Sequence, residues 1–310
     1  MDWSAPDAPM VATRAVHFAA TAITVGDVIF RVVIAVPALR TEATAAASFG
    51  TPTLRVSCLG LGVAVISGAI WLLLQAASMS GMPLHDALSA DVLSTVIHET
   101  QFGQLTTVRA GFAICLATCL VYDRVAIAQW LGFAAALGFA ASLAWSGHAG
   151  STLGEAGYVH LTADALHLMA AAAWIGGLAS LILFLDAAYR SKAISPVRDV
   201  VGRFSIMGMV SVVALLLTGL INSFILVGSV HALIVTEYGR LLLLKLGLFA
   251  LMLIIALINR LVLVPRLAPS GNGALRRLAC NSAIELALGL AVLTIVGILG
   301  TMHPAIHLVN

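Results

Sequence analysis

The sequence predicts an all-α, polytopic membrane protein, a bundle of eight transmembrane helices with both termini on the outer side. Its 310 residues are 61% hydrophobic and only 10% charged. Its apolar runs also reach the length of about 20 residues that a helix needs to cross a bilayer. The expected spans, numbered one to eight, are Met10–Ala38, Val56–Ala77, Phe102–Tyr122, Ala126–Trp145, Val159–Tyr189, Phe204–Val227, Leu241–Val264 and Leu278–Met302.

Lysine and arginine concentrate in alternate links, and this asymmetry predicts the orientation because basic links stay in the cytoplasm. The basic links are 39–55 with Arg40 and Arg55, 123–125 with Arg124, 190–203 with Arg190, Lys192, Arg198 and Arg203, and 265–277 with Arg266, Arg276, Arg277 and the flanking Arg260. The intervening links, 78–101, 146–158 and 228–240, contain only Arg240, at the edge of a span. We therefore expect an N-out/C-out bundle that forms one domain over residues 1–310, without an internal repeat.

Composition and motifs exclude several classes of protein. The formal net charge is only +2, and no basic stripe with interleaved aromatic residues is present, so we expect no nucleic-acid binding. No G-x-x-x-x-G-K-[ST] loop is present for ATP. The four cysteines are expected in the middle or inner half of their spans, which argues against a disulfide framework; they are Cys58, Cys115, Cys119 and Cys280.

With this orientation, all nine histidines fall on the outer side of the membrane. They are His17, His85, His98, His148, His160, His167, His231, His303 and His307. Imidazole is the commonest protein ligand for metals and also binds haem iron. The distribution therefore indicates a metal or haem site near the outer face.

Span one carries His17, Asp27 and Arg31. The spacing of Asp27 and Arg31 predicts an ion pair within the helix. The link that follows span two contains the only extended stretch, and Leu84–Gln101 is expected to form an amphipathic helix on the outer surface. In span three we expect Arg109 to extend towards the boundary.

Span five carries the densest polar group within the membrane, His160, Asp164 and His167, on one helical face. The two histidines are about 10 Å apart along the axis, so they are two successive positions rather than joint ligands of one ion. Asp164 lies between them and is expected to orient an imidazole. The alternative is a polar packing seam between helices.

The last three spans carry further polar residues. Lys245 lies near the outer boundary, where its side chain is expected to extend towards water. The deeper groups are expected to join helices through hydrogen bonds; they are Asn222, Asn259, Asn281 and Glu285.

Several strings resemble the copper-resistance D (CopD/PcoD) family of inner-membrane proteins. They run from about residue 100 to 266, and the first hundred residues match only in the pattern of spans. The strings are Thr100-Gln101-Phe102-Gly103 with Arg109, Gly147-His148-Ala149, Asp164-Ala165-Leu166-His167 with Trp174-Ile175-Gly176-Gly177, Gly202-Arg203-Phe204-Ser205, Thr218-Gly219-Leu220-Ile221-Asn222, Tyr238-Gly239-Arg240 with Lys245, and Asn259-Arg260 with Pro265.

The resemblance implies a multi-pass protein of the bacterial inner membrane that handles copper, as Cu(I) or Cu(II), with a periplasmic CopC-type carrier as partner. We expect copper binding at the periplasmic face and transfer across the membrane, without enzymatic activity, although redox activity is not excluded. The expected copper ligands are His148, His160 and His167, then His17, His98, Met79 and Met82. Thioethers suit Cu(I), although methionine is also an ordinary apolar residue.

Two other functions remain open at this point. Related membrane proteins with a similar helical plan bind haem b, and here His17 and His167, at matching depth, are the candidate axial pair of a membrane oxidoreductase. A copper-sensing scaffold is the third possibility. Cys115 and Cys119 lie on one helical face and are a candidate inner site for a soft ion.

Overall fold

The computed structural model describes residues 7–40, 43–152, 154–191, 196–267 and 272–308, and these are helical, with short links and no β-strand. Eight described helices are long and apolar enough to cross a membrane: Ala8–Ala38, Phe49–Ser80, Gln101–Val121, Ala126–Ser146, Gly154–Arg190, Val197–Val227, Glu237–Arg266 and Gly273–Leu299. The prediction of an all-α bundle with eight spans is confirmed. The side of the membrane on which the termini lie stays a prediction, and "outer" is used below only for the end of the bundle that carries both termini.

Several helices extend beyond the apolar runs from which they were predicted. The helix of span two begins at Ala43, that of span six at Val197 and that of span eight at Asn272. Backbone hydrogen bonding continues through polar residues, whereas hydrophobicity reports only the part suited to lipid. The predicted surface helix is broken in two, at Leu84–Ala87 and Ala90–Glu99. The remaining short helices are His148–Ser151, Val230–Val235 and Ala305–His307.

Three of the spans contain π-helical segments, at Phe30–Ala35, Ala172–Gly176 and Asn259–Leu263. Short 3₁₀ segments end spans four and seven, at Ser142–Ser146 and Val264–Arg266. Isolated π turns inside long helices are often found near functional sites. Here the first segment contains Arg31, and Asn259 opens the third.

Span one lies at the centre of the bundle, where it packs against spans two, four, five and eight. Its contact with span five depends on two glycines. A Cβ on Gly26 would overlap the backbone at Ala172 and Gly176, and a Cβ on Gly176 would overlap the backbone at Ala22 and Gly26. Small residues let membrane helices approach this closely. The contact is reciprocal, as in an interface between two equivalent surfaces.

The reciprocal crossing is one sign that the bundle repeats a four-helix plan. Span one packs on span two as span five packs on span six, and spans three and four pair as spans seven and eight do. Gly26 lies nine residues after His17, and Gly176 lies nine residues after His167. Both halves therefore use the same helix positions, and the expectation that the chain lacks an internal repeat is wrong.

Spans three and seven begin in the same way. The Thr100 side chain caps its helix by accepting from the backbone N–H of Gly103, and Thr236 caps span seven by accepting from Gly239, both at 3.0 Å. A short outer helix precedes each cap, Ala90–Glu99 or Val230–Val235, and its backbone packs directly on the capped glycine. Two of the family-like strings therefore serve to begin helices and to seat the outer helices.

Two equivalent histidine clusters and a candidate metal site

His17 lies in a buried group in the outer part of spans one, two and three. Its Nδ1 is 3.0 Å from Ser67 Oγ, and its Nε2 is 2.5 Å from a terminal nitrogen of Arg109. The Trp71 ring packs edge-on against the imidazole with centroids 5.5 Å apart, and the Arg14 guanidinium lies 4.7 Å above that indole. We call Arg14, His17, Trp71 and Arg109 the outer cationic cluster.

His167 occupies the equivalent place in spans five, six and seven. Its Nδ1 is 2.9 Å from Thr218 Oγ1, and Lys245 lies within electrostatic range of the imidazole and of Asp164. The Asn222 side chain donates to Asp164 Oδ1 at 3.0 Å. We call Asp164, His167, Asn222 and Lys245 the His167 cluster.

The two clusters correspond position by position. Each hydroxyl residue, Ser67 or Thr218, is followed by a glycine whose missing Cβ leaves room for the imidazole. Arg109 and Lys245 each lie nine residues after the threonine that caps their helix.

The charges around the two imidazoles are nevertheless opposite in part. Three residues before the histidine, the outer cationic cluster has Arg14 and the His167 cluster has Asp164. Four residues after the hydroxyl residue, the first has Trp71 and the second has Asn222. The repeat therefore presents donors around His17 and acceptors around His167.

The hydroxyl residues fix the tautomer of each imidazole. Ser67 donates its proton to the Val63 carbonyl and Thr218 donates to the Ala214 carbonyl, both at 2.6 Å. A hydroxyl has one proton to donate, so each must accept from the histidine Nδ1–H. The lone pair of each imidazole is thereby on Nε2. In His17 that lone pair accepts from Arg109, whereas no described residue lies within hydrogen-bond distance of His167 Nε2.

His160, two helical turns nearer the outer face than His167, also gives its Nδ1 proton to a hydroxyl. Thr152 Oγ1 donates to the His148 carbonyl at 3.2 Å and is 2.8 Å from His160 Nδ1, so it accepts the imidazole proton and leaves the lone pair on Nε2. His148 and His160 interact electrostatically. The His148 ring also reaches the Leu299 carbonyl at 3.2 Å. Gly154, with φ of 74°, turns the chain from the His148 helix into span five.

The structure does not gather all the predicted ligands. No group of three or more His, Cys, Asp or Glu side chains among the described residues is arranged to hold a metal. Met79 is exposed at the end of span two, and Met82 and His98 are exposed on the link that follows, where the His98 ring bonds to Ser94. Their role as ligands stays a prediction. The side chain of His307 lies outside the described residues.

Three expectations about polar partners are wrong. Asp164 accepts from Asn222, and the hydroxyls of Thr152 and Thr218 hold the imidazoles that it was expected to orient. Arg109 is buried against His17 and the Phe139 ring, because it finds an acceptor and an aromatic face inside the bundle. Lys245 likewise lies beside Asp164 and His167.

The predicted ion pair of span one is also replaced. Arg31 bonds to Asp123 in the link after span three, at 2.7 Å. Asp27, fully buried, accepts instead from the hydroxyls of Ser57 and Ser180 and so joins spans one, two and five. A separate aspartate was within reach of Arg31 in space but distant in the sequence.

The predicted hydrogen bonds between spans seven and eight are confirmed. Asn259 donates to Glu285 at 2.5 Å, and Asn281 donates to the Asn259 side-chain oxygen at 2.8 Å. The thiols of Cys115 and Cys119 interact with each other on span three. Three of the four cysteines in the chain are exposed on the bundle surface, namely Cys58, Cys115 and Cys280.

Fold and site together define a polytopic α-helical membrane protein whose outer half contains two equivalent histidine clusters. Comparison with known families identifies its family. The model for the copper resistance protein D-like N-terminal domain matches residues 5–158, and the model for copper resistance protein D matches residues 198–299. The first match covers spans one to four and the start of span five, and the second covers spans six to eight, while one hydrophobic core extends through both halves of the bundle. The expected single domain over 1–310 stays a prediction.

Relatives support the same assignment. The chain is 32% identical to inner membrane protein YebZ of Escherichia coli, over 76% of this chain and 82% of that protein. It is 31% identical to copper resistance protein D of Pseudomonas syringae, over 79% and 81%. It is 29% identical to copper transport protein CutJ of Bacillus subtilis, over 66% of this chain and 38% of that protein. The chain belongs to the copper resistance protein D family.

The family assignment and the eight spans confirm the expected location, as a multi-pass protein of the bacterial inner membrane. No solved structure matches the chain at a significant level.

Proposed function

We propose that this protein acts in copper homeostasis by binding copper at the periplasmic face and transferring it inward across the membrane. One observation carries the proposal. In span five, two imidazoles at successive depths, His160 and His167, each direct the proton to a threonine hydroxyl and keep the Nε2 lone pair for another partner. Neutral imidazole is a good copper ligand.

The surroundings of His167 suit a cation. Asp164 supplies a carboxylate, and Asn222 has a buried side-chain oxygen without a described hydrogen-bond partner. Lys245 supplies a positive charge within range of the same carboxylate. We propose that an incoming copper ion competes with this ammonium for Asp164, so that binding at His167 is reversible. Reversibility is what a transport intermediate requires.

The outer pair, His148 and His160, is the proposed first position for the ion. Because the described residues contain no complete cage, the ion there keeps a ligand from its donor, and a low-coordinate ion such as Cu(I) fits best. A periplasmic CopC-type carrier is the proposed donor. His231 and His303, exposed on the outer side in the predicted orientation, are placed to attract or pass on the ion.

The haem b alternative has less support in the structure. Both ring nitrogens of His17 are engaged, by Ser67 and Arg109. His167 contacts a different set of residues, and the two imidazoles have no described contact in common. An axial pair of His17 and His167 would require Arg109 to release His17. We therefore propose a binding and transport role for the protein rather than a redox one.

Copper binding by the purified protein tests the proposal. The protein in detergent, loaded with copper and freed of excess metal, is expected to retain copper and to lack a Soret band. His167→Gln should retain much less copper, whereas His85→Gln, which changes an exposed histidine beside Asp86, should retain as much as the parent. A strong Soret band, or equal copper in His167→Gln and the parent, would contradict the proposal.

A further inference from the structure

The outer cationic cluster contains two buried arginines without a carboxylate partner. Arg14 is 6% exposed and Arg109 is 7% exposed. Neither forms an ion pair within the described parts of the chain, where the arginine pairs involve Arg31, Arg190 and Arg203. A buried charge is normally paired, because its removal from water is otherwise costly.

The donors of this cluster are partly unsatisfied. Arg14 has no hydrogen bond to any described residue, and its Nε is buried without a partner, as is the indole nitrogen of Trp71. The guanidinium lies against Gly300, where a Cβ would overlap it. Contacts with the rings of Trp71 and Phe18 stabilise the cation in part. They do not provide an acceptor for the Nε–H, which stays without a partner among the described residues.

The two clusters differ in whether their unpaired polar atoms are donors or acceptors. Its unpaired atom is an acceptor, the side-chain oxygen of Asn222, and its charged residue at the Arg14 position is Asp164. The outer cationic cluster has unpaired donors at the same two positions, Arg14 and Trp71. One copy of the repeat is thus arranged for a cation and the other for an electron-rich partner.

We propose that the outer cationic cluster binds a small monovalent anion, of which chloride is the representative, between Arg14 and Trp71. Guanidinium and indole N–H groups are both donors without an acceptor, so their common partner must be an acceptor. A small anion fits best because the buried Arg14 guanidinium already lies against Gly300 and only 4.7 Å from the Trp71 ring. One negative charge offsets part of the charge of two arginines and leaves Arg109 bonded to His17. This proposal is independent of copper transport.

Thermal unfolding of the detergent-purified protein tests the site. Chloride is titrated against gluconate at constant ionic strength, since an anion that binds only the folded protein raises its melting temperature saturably. We expect a saturable rise for the parent and none for Arg14→Gln. Arg190→Gln, which changes an exposed arginine paired with Asp186, should respond as the parent does.

A milder variant covers the case in which Arg14→Gln does not fold. Trp71→Phe keeps an aromatic ring near the guanidinium and removes the indole N–H together with part of the ring, so the chloride concentration for half-saturation should rise at least about tenfold. Retention of radioactive chloride by parent and variant gives a direct second readout. An unchanged half-saturation and equal retention would overturn the assignment of Trp71 and the site with it.

Two further outcomes would overturn the proposal by identifying another partner. Asp2 lies outside the described residues and is an acidic residue close to Arg14 in the sequence. If chloride raises the melting temperature of Asp2→Asn but not that of the parent, the partner of Arg14 is the chain's own carboxylate. If phosphate or vesicles with an anionic lipid stabilise the parent while chloride does not, the partner is a phosphate group and not a small monovalent anion.

Discussion

At the scale of single residues, the tautomer of an imidazole decides whether it can bind a metal. Three histidines in this protein give the Nδ1–H to a hydroxyl that has already given its own proton to a backbone carbonyl. Hydrogen bonds of this kind around a metal site fix the orientation and basicity of the ligand. His17 is distinguished from His160 and His167 by Arg109, which reaches its Nε2.

Thr218→Val should weaken copper binding through its effect on His167. The Thr218 hydroxyl is itself engaged by His167 Nδ1 and the Ala214 carbonyl. The valine keeps the shape of the threonine and removes the acceptor for His167 Nδ1–H. Loss of such a partner typically reduces metal affinity about 10–100-fold. The measurement is a copper competition titration of the purified protein against a chelator of known affinity.

Thr107→Val is the matched control for that experiment. The Thr107 hydroxyl also bonds to its own helix, at the Gly103 carbonyl, but the residue is exposed on the surface of span three. Its copper affinity should equal that of the parent. Equal affinity in Thr218→Val as well would show that the tautomer of His167 does not govern binding.

At the scale of helices, the crossing of spans one and five sets the distance between the two halves. Gly26 and Gly176 lie against each other's backbone, next to the π segment at Ala172–Gly176. Asp27 follows directly and bonds to Ser57 and Ser180. The crossing therefore combines close packing with a polar link among three spans.

Gly176→Val should strongly destabilise the protein, since the added carbons would meet the backbone of span one at Ala22 and Gly26. Overpacking of a core typically costs about 1–3 kcal/mol, and backbone cannot move aside as a side chain can. The readout is the melting temperature and the monodisperse fraction on size-exclusion chromatography. Gly247→Ala, in span seven with no atom within 4 Å of its Cβ position, should match the parent. Similar stability of both variants would argue against a close crossing.

The sequence predicted these helices well and their partners poorly. Hydrophobic length identified all eight spans, because the bilayer sets that length. It could not show that Arg109 bonds to His17, or that Arg31 bonds to Asp123, since partners of a polar group at depth come from other helices. The clearest missed signal was the paired spacing from Thr100 to Arg109 and from Thr236 to Lys245.

At the scale of the whole molecule, two copies of one helical plan carry opposite chemistry. Parallel repeats of this kind are common in transporters, where the two halves differ in detail around a shared plan. Here the half with His17 contains two buried arginines, one of which bonds to Nε2, while the half with His167 contains a carboxylate and an Nε2 without a described partner. The repeat escaped sequence analysis because several matched positions differ in residue type, as Arg14 does from Asp164 and Trp71 from Asn222.

The orientation of the bundle is a separate prediction. Because basic links stay in the cytoplasm, a thiol-reactive probe outside the cell should label Ser151→Cys and should not label Arg124→Cys, each in a protein without its four native cysteines. Both positions are exposed in described links. Permeabilised cells, in which both should react, provide the control. Labelling of Arg124→Cys alone in intact cells would place the histidines in the cytoplasmic half.

The central claim is that copper passes through the His167 half of the repeat. The most direct measurement is copper uptake into proteoliposomes that enclose a Cu(I) indicator, with His17→Gln and His167→Gln compared at equal protein content. These variants change equivalent positions, so a general effect of losing a buried histidine would affect both. We predict uptake by the parent and by His17→Gln, and near-background uptake by His167→Gln. Uptake by His167→Gln at the parental rate, or no uptake by the parent above empty liposomes, would contradict the account.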